Sequence, residues 1–511
     1  MNNEYLKSYW INSTKETNYP SLEVDINTEV AIVGGGITGI TAGYLLKKQG
    51  VKVCIIDASR IVQGATGFTT AKITSQHHLI YDKIIKSFGL EYAKQYASAN
   101  EAAISFIKAL VKEQEIDCDL SSLPSYMYTI DENYVNKIEK ETDAAIKLGI
   151  KASYVDKMPI NLDIKGGVVF YNQAQFHPRK YLLNLAEKIP GDDSYIFENT
   201  EAMEIIPGKN VTILTNLGKK ITAQNVIIAS HFPCYDGLGL YLTRLRPQRS
   251  YVLAAKVKEH FPEAMFINAE EPGRSLRYQK NGENQLVIFG GEGHKTAHGE
   301  IYNIHYENLE KFAKSLFEVE NVSYRWSTQD YITLDNIPYI GKITTSKDNI
   351  YVATGYGEWG MTNSTVAAGL LTDKILGKDN PWQEVFNPSR ALMAPSYKQL
   401  FTENFDVAKE LIVGKISSGE IGINIKTGEG KVVQLEGVKY GAYRDLENTL
   451  HIVDITCTHV GCELKWNDAE SSWDCPCHGS RFTYDGEILE GPATHKLNHY
   501  KENKNKIDLN L

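Results

Sequence analysis

Residues 29–57 read EVAIVGGGITGITAGYLLKKQGVKVCIID. Glu29–Val33 is a short apolar strand, and Gly34-Gly35-Gly36-Ile37-Thr38-Gly39 follows it directly. Apolar residues at helical spacing run from Ile40 to Leu46, and Val51–Ile56 is a second strand closed by Asp57. This is the βαβ dinucleotide-binding pattern in the context it requires. Gly34 permits the tight turn, Gly36 lets the backbone approach a pyrophosphate, and Gly39 lets the helix pack closely on the strand. The helix start at Ile37 and Thr38 offers unpaired N–H groups to phosphates. Asp57, followed by Ala58, is placed to accept hydrogen bonds from ribose hydroxyls.

FAD and NAD share this pattern, so later residues must choose between them. Gly64-Ala65-Thr66-Gly67 supplies a second small-residue turn, followed by Phe68, Thr69, Thr70, Ala71 and Lys72. Val226–Ser230 is a continuous apolar strand, as a parallel sheet buried on both faces needs. Trp326–Asp330 and Thr333–Gly341 read as a strand pair with a turn. Ile350–Thr354 then leads into Gly355-Tyr356-Gly357-Glu358-Trp359-Gly360-Met361-Thr362 and a helix to about Leu376.

Together these motifs resemble the D-amino-acid-oxidase-like superfamily of FAD-dependent oxidoreductases over residues 29–380. The resemblance implies an α/β Rossmann-like FAD domain (segments 29–80, 195–235 and 326–380) interleaved with an antiparallel α+β substrate domain. It places Ala65, Thr66, Thr70 and Ala71 near the flavin, Gly355, Gly357, Trp359, Gly360 and Met361 beside the ring, and Met203 against adenine. A helix start after a glycine turn stabilises the negative charge of a reduced flavin. Relatives with covalent FAD carry a His where this chain has Phe68, so FAD is expected to be non-covalent. His77 and His78 are expected as surface or supporting residues.

Catalytic residues are less visible, because the flavin carries the chemistry and a dedicated base is not obligatory. Arg246, Arg249, Tyr251, Arg274, Arg277 and Tyr278 are candidates for substrate contact, with Arg249, Tyr251 and Arg277 foremost. An arginine there would clamp a carboxylate; ordinary pairing with Asp or Glu is the plainer reading. Gly290–Lys295 reads equally as a functional loop or a hairpin turn, and Tyr92–Glu115 as a core helix.

The other informative stretch is Cys457-Thr458-His459-Val460-Gly461-Cys462 with Cys475-Pro476-Cys477-His478-Gly479-Ser480-Arg481-Phe482. Two thiolates and two imidazoles suit either a tetrahedral zinc or a two-iron, two-sulfide cluster. The full pattern, with its two extra cysteines, resembles the disulfide-containing Rieske proteins of respiratory and photosynthetic electron transfer. That resemblance implies Cys457, His459, Cys475 and His478 as ligands of a [2Fe-2S] cluster and a Cys462–Cys477 disulfide. Ser480 would donate a hydrogen bond to a bridging sulfide, whereas Phe482 stands where high-potential relatives carry a Tyr. Fewer hydrogen bonds to sulfur imply a lower potential within the Rieske range. Short strands at Ile421–Ile425, Lys431–Leu435, Val438–Tyr443 and His451–Ile455 suit an all-β Rieske domain over 416–511. Gly491–Thr494 resembles that family's proline loop, with Thr494 in place of the second proline.

Residues 1–28 are read as an N-terminal extension and 381–415 as a linker carrying a helix, Ser396–Leu411. With 511 residues and 42% hydrophobic content the chain has room for several cores. A net charge of -9 without a basic block argues against nucleic acid and anionic membranes. The N-terminus has no signal-peptide core, and no run approaches the ~20 apolar residues of a membrane span. The three cysteines outside the C-terminal stretch are scattered, so a cytoplasmic setting is expected. The expected activity is oxidation of a small amine, amino acid or related molecule, with electrons passing from FAD to the cluster and on to a soluble one-electron partner. The other classes are an oxidase with a structural Rieske domain and a non-catalytic electron carrier or redox sensor. The absence of a His-His-carboxylate iron motif and the extra cysteine pair Cys462 and Cys477 argue against a Rieske oxygenase.

Overall fold

The computed structural model describes residues 7–282, 284–299, 301–392, 420–421 and 424–500. They form two units, one within Met1–His294 and His305–Leu400, the other within Lys295–Ile304 and Phe401–Leu511.

The first unit contains two large sheets. The sheet that carries the glycine turn has eight strands. At its centre β1 (Ile26–Val33) lies parallel to both β2 (Val53–Ile56) and the strand Lys220–Ile228. Ile350–Thr354 adds a further parallel strand beside Lys220–Ile228. Val30 to Ile32 and all of β2 are buried, which is why these strands read as unbroken apolar runs. The parallel strand foreseen at Val226–Ser230 is thus the end of Lys220–Ile228, and β1 begins earlier than Glu29 because Ile26 already pairs with Ile221.

The second sheet has nine strands, mostly antiparallel. Its longest pair joins Leu245–Val257 to Val319–Thr333, and the short strand Lys72–Ile73 closes its far edge on Gly166–Gln175. Gly290–Lys295 is neither loop nor turn: it ends the strand Asn284–Lys295, with Gly290 opposite Ser275 and Gly291 opposite Arg274. Glycine is needed there, since a Cβ on Gly290 would sit 2.7 Å from Thr70 Cγ2. The core helix is Leu90–Glu113 and the helix after the second glycine turn is Gly360–Ile375, each close to its expected bounds.

The N-terminal extension is structured. Its short helix Tyr9–Asn12 buries Trp10 completely. Ser8 Oγ accepts from Trp10 N and donates to Gly67 O. Trp10 Nε1 donates to Thr69 O at 2.6 Å, and Trp326 Nε1 to Phe68 O at 2.7 Å. Three consecutive carbonyls of the 65–71 loop are therefore each held by a side chain remote in sequence. The stretch after residue 380 also packs: Val385 and Phe386 are buried, and Arg390 makes a two-pronged buried ion pair with Asp335 at 3.0 Å. The helix foreseen at Ser396–Leu411 lies outside the described residues.

The second unit has two four-stranded sheets. One runs Glu420–Ile421, Gly430–Leu435, Val438–Arg444, Leu450–Asp454; the other runs Lys465–Asn467, Ser472–Asp474, Arg481–Thr483, Ile488–Glu490. Of the first foreseen strand, Ile421–Ile425, Ile421 is extended and paired within the short strand Glu420–Ile421, and residues 422–423 lie outside the described residues. Trp473, Phe482, Val453 and the disulfide pack into one small core. Among the described residues no helix is long and apolar enough to cross a membrane.

Removing the Trp10 side chain empties a filled core position and leaves the carbonyl of Thr69 without its indole donor. We expect Trp10→Ala to cost about 3–5 kcal/mol and to loosen flavin retention. Denaturant unfolding, with bound flavin measured by absorbance after gel filtration, checks both effects.

Candidate cofactor and metal centres

The first glycine turn is shaped by contact. A Cβ on Gly39 would lie 1.9 Å from Gly34 O, and one on Gly34 would lie 2.5 Å from Ala229 O. Only glycine permits this approach, which presses the helix Ile37–Lys48 against β1 and aims its start out of the sheet edge. Gly36 caps that helix with no side-chain hydrogen bond, and Ile37 N reaches Thr66 Oγ1 at 3.1 Å. Asp57 accepts from Gly35 N at 2.8 Å and Ser59 N at 2.9 Å, while burial pushes its pKa up. It therefore ties the turn to the end of β2; Ala58 beside it is exposed.

The second glycine turn meets the first. Thr38 Oγ1 and Tyr356 Oη are 2.7 Å apart. Gly355 and Gly357 have φ of +77° and +54°, which glycine adopts at little cost. A Cβ on Gly355 would strike Thr333 Cγ2 at 2.3 Å. Trp359 precedes the helix Gly360–Ile375, and Met361 and Thr362 are buried in its first turn. His77, expected on the surface or in support, is interior: its ring stacks on Trp359 at 4.9 Å and bonds Tyr96 Oη at 2.6 Å and Thr362 Oγ1 at 3.1 Å. Burial lowers the His77 pKa to about 3 and that of His78 to about 4. Glycine turns 34–39 and 355–360 and loop 65–78 thus converge, as a dinucleotide and its ring require. Met203 is exposed on the strand Ala202–Ile206.

The arginine candidates divide. Arg277 is fully interior, donates to Ala71 O at 3.0 Å and Phe176 O at 3.3 Å, and lies 5.2 Å from the Trp10 ring centroid. Nη1 thus helps to hold the 65–71 loop, Nη2 donates to Gln279 Oε1, and Nε is buried with no hydrogen-bond partner among the described residues. Arg274 pairs with Glu292 at 2.5 Å, in line with the plainer reading. Arg249 is buried and donates to Ser327 Oγ. Tyr251 is buried, with its hydroxyl 3.0 Å from His294 Nε2.

In the second unit two loops repeat one construction. Gly461 N donates to Cys457 O at 2.9 Å, and Gly479 N to Cys475 O at 3.1 Å. Cys457 N reaches Cys462 O, and Cys475 N reaches Ser480 O, each at 2.8 Å. Gly461 and Gly479 have φ of +84° and +79°. The Cys462–Cys477 disulfide joins the loops across 15 residues, and Cys475 Sγ lies within 4.8 Å of both its sulfurs. The rings of His459 and His478 meet edge to face at 5.1 Å. The Cys457 and Cys475 thiols hydrogen-bond each other. That bond draws the Cys457 thiol down to about 6 and holds the Cys475 proton well above the ordinary thiol value. Backbone N–H groups of His459 and Val460, and the Ser480 hydroxyl, point at the Cys457 sulfur. Those of Cys477 and His478 point at the Cys475 sulfur. Two buried thiols ringed by N–H donors beside two imidazoles fit a [2Fe-2S] cluster; the disulfide sulfurs are spent and cannot ligate. Arg481, paired with Asp474 at 3.0 Å, braces the strand leaving the second loop. Ser480 Oγ also accepts from Ala493 N at 3.0 Å, which ties the 491–494 loop to this centre.

The sequence profile of the family described as FAD dependent oxidoreductase matches residues 29–374. The chain belongs to that family. It also carries a Rieske [2Fe-2S] domain, matched at residues 423–501, so FAD and a [2Fe-2S] cluster are its cofactors. It is 45% identical over 492 residues to YhfW of Bacillus subtilis, named for a Rieske 2Fe-2S iron-sulfur protein, covering 96% of this chain and 97% of that one. It is 23% identical over 395 residues to the gamma-glutamylputrescine oxidoreductase of Escherichia coli, covering 73% and 90%. The fold matches that of glycine oxidase from Geobacillus kaustophilus with a TM-score of 0.61, at 18% identity, over 71% of this chain and 99% of that one.

The sequence alone did not reveal the Ser8, Trp10 and Trp326 donors to the 65–71 loop. Trp10 had one signal: a large aromatic in an otherwise polar N-terminus.

A disulfide closing a loop of this length contributes about 3 kcal/mol through the unfolded state. We expect the Cys462→Ser, Cys477→Ser double variant to lose roughly that much stability in the cluster domain. Loss of the cluster's visible absorbance along a denaturant gradient measures it.

Proposed function

We propose that the chain oxidises a small amine or amino acid at its flavin site. It passes the electrons to its Rieske centre and from there to an external one-electron partner protein. The observation that supports this most is the presence on one chain of both a dinucleotide-binding βαβ unit and a pair of cluster-binding loops. FAD, when bound, supplies two-electron acceptance from a C–H bond and release one electron at a time, and the cluster supplies single-electron transfer.

The protein's own part is positioning. The uncapped start of the helix Ile37–Lys48 would hold the pyrophosphate and Asp57 the ribose. The turn Gly355–Gly360 would run beside the ring, with the start of the helix Gly360–Ile375 favouring the negative charge of the reduced state. Cys457, Cys475, His459 and His478 would ligate the cluster, with the N–H groups around the two sulfurs stabilising its added electron. We place the reaction in the cytoplasm, with a soluble protein as the electron partner. The relatives named for gamma-glutamylputrescine and glycine motivate the choice of an amino compound as substrate.

An anaerobic screen of amines and amino acids for flavin bleaching tests the substrate class. With the compound it finds, Cys457→Ser is expected to keep flavin bleaching and to lose reduction of a one-electron protein acceptor. Undiminished turnover in that variant, with rapid peroxide formation, would instead support an oxidase whose Rieske domain is structural.

A further inference from the structure

Lys72 opens the two-residue strand that leaves the flavin loop. Its amine lies 5.7 Å from the centroid of Trp359, the residue before the helix Gly360–Ile375. Lys72, Gln248, Glu358 and Trp359 are each half-buried, so part of every one of these side chains stays accessible. Glu358 sits in the second glycine turn with φ of +73°, a conformation that costs a glutamate energy. Gln248 Nε2 donates to Glu358 Oε1 at 3.0 Å. Among the described residues Lys72 Nζ has no hydrogen-bond or ion-pair partner. These residues thus bring together an amine with no hydrogen-bond or ion-pair partner, lying over an indole ring, and a carboxylate fixed by an amide.

We propose that Glu358 and Lys72 are the substrate-binding and proton-accepting residues of the flavin site and that they select a protonated amine; this rests on the function proposed above. The Glu358 carboxylate receives the substrate ammonium. One N–H bond of the substrate ammonium then breaks, its proton goes to Lys72 Nζ, and the electron pair stays on the substrate nitrogen. The substrate becomes a neutral amine and Lys72 an ammonium beside Glu358, so the total charge is unchanged. A neutral amine is the form whose α-C–H bond gives up its electrons readily. An anionic substrate would need the opposite arrangement, with Lys72 charged and Glu358 out of the way.

The titration of Lys72 supports this geometry. Burial lowers its pKa from 10.5 to about 7; Glu358 opposes that shift and Arg277 adds to it. The other titratable groups around the pair are His78, which burial holds neutral, and Glu271, which acts on Glu358 together with burial to raise its pKa. Above about pH 7 Lys72 is therefore a base ready to accept a proton.

The test uses the full chain loaded with FAD and cluster. Lys72 is trace-labelled with acetic anhydride across pH, and its peptide is quantified by mass spectrometry. The amine should titrate near pH 7, and lower still in Glu358→Gln, which removes the opposing charge. At pH 8, n-butylamine should protect Lys72 from the reagent and butyrate should not. Titration near 10.5, or protection by butyrate or by neither compound, overturns the proposal. Lys72→Arg keeps the charge but cannot accept a proton at this pH. With the amine found by the screen it should bleach flavin roughly 100-fold more slowly or worse at unchanged FAD content, and an equal rate would contradict the assignment. Labelling needs neither turnover nor cluster reduction, so a failure of electron transfer to the Rieske centre would leave its result intact.

Discussion

The flavin unit depends on one close approach, that of Gly39 to the carbonyl of Gly34, where a Cβ would lie at 1.9 Å. No other residue lets the helix Ile37–Lys48 lie this tightly on β1, and the tightness decides where the helix start points. Asp57 then fixes the turn from the next strand, Thr66 takes the first helical N–H, and Tyr356 meets Thr38 from a segment more than 300 residues later in the chain. A helix start without a side-chain cap is an unsatisfied end, and an anion of the right shape satisfies it.

The second constraint is the flavin loop, which has little regular structure to stabilise it. Its carbonyls at Gly67, Phe68, Thr69 and Ala71 are held by Ser8, Trp326, Trp10 and Arg277 respectively. Two indoles and a guanidinium inside the protein need acceptors, and a loop that must not move needs donors, so each requirement meets the other. This explains why a polar N-terminus carries a fully buried tryptophan.

Much of the architecture was legible because its signals are local. A buried parallel strand is a short apolar run, a glycine turn is a glycine cluster, and the Rieske loops repeat Cys-His pairs at fixed spacing. The less legible parts depend on partners distant in sequence. Gly290-Gly291 looks like a turn until the strand Arg274–Asn281 lies beside it, and then its glycines are needed to clear Thr70 and the backbone of Gly273. The burial of His77 comes from Tyr96 and Trp359, neither of which its neighbours reveal. Glu358 reads as one residue within a glycine motif, and its positive φ and its bond from Gln248, more than 100 residues away, come only with the fold. The paired Cys-His loops were legible, while the matched hydrogen-bond closure of the two loops was not.

The central claim is that one chain moves electrons from substrate, through its flavin site, to its own cluster. Anaerobic mixing of the fully loaded protein with the amine that bleaches its flavin tests this most directly. Flavin absorbance and the freeze-quenched EPR signal of the reduced cluster are followed over a tenfold range of protein concentration. The account predicts that the cluster signal appears after bleaching, at a rate that does not change with concentration. A cluster that stays oxidised beside a bleached flavin, or a rate that scales with concentration, would contradict it.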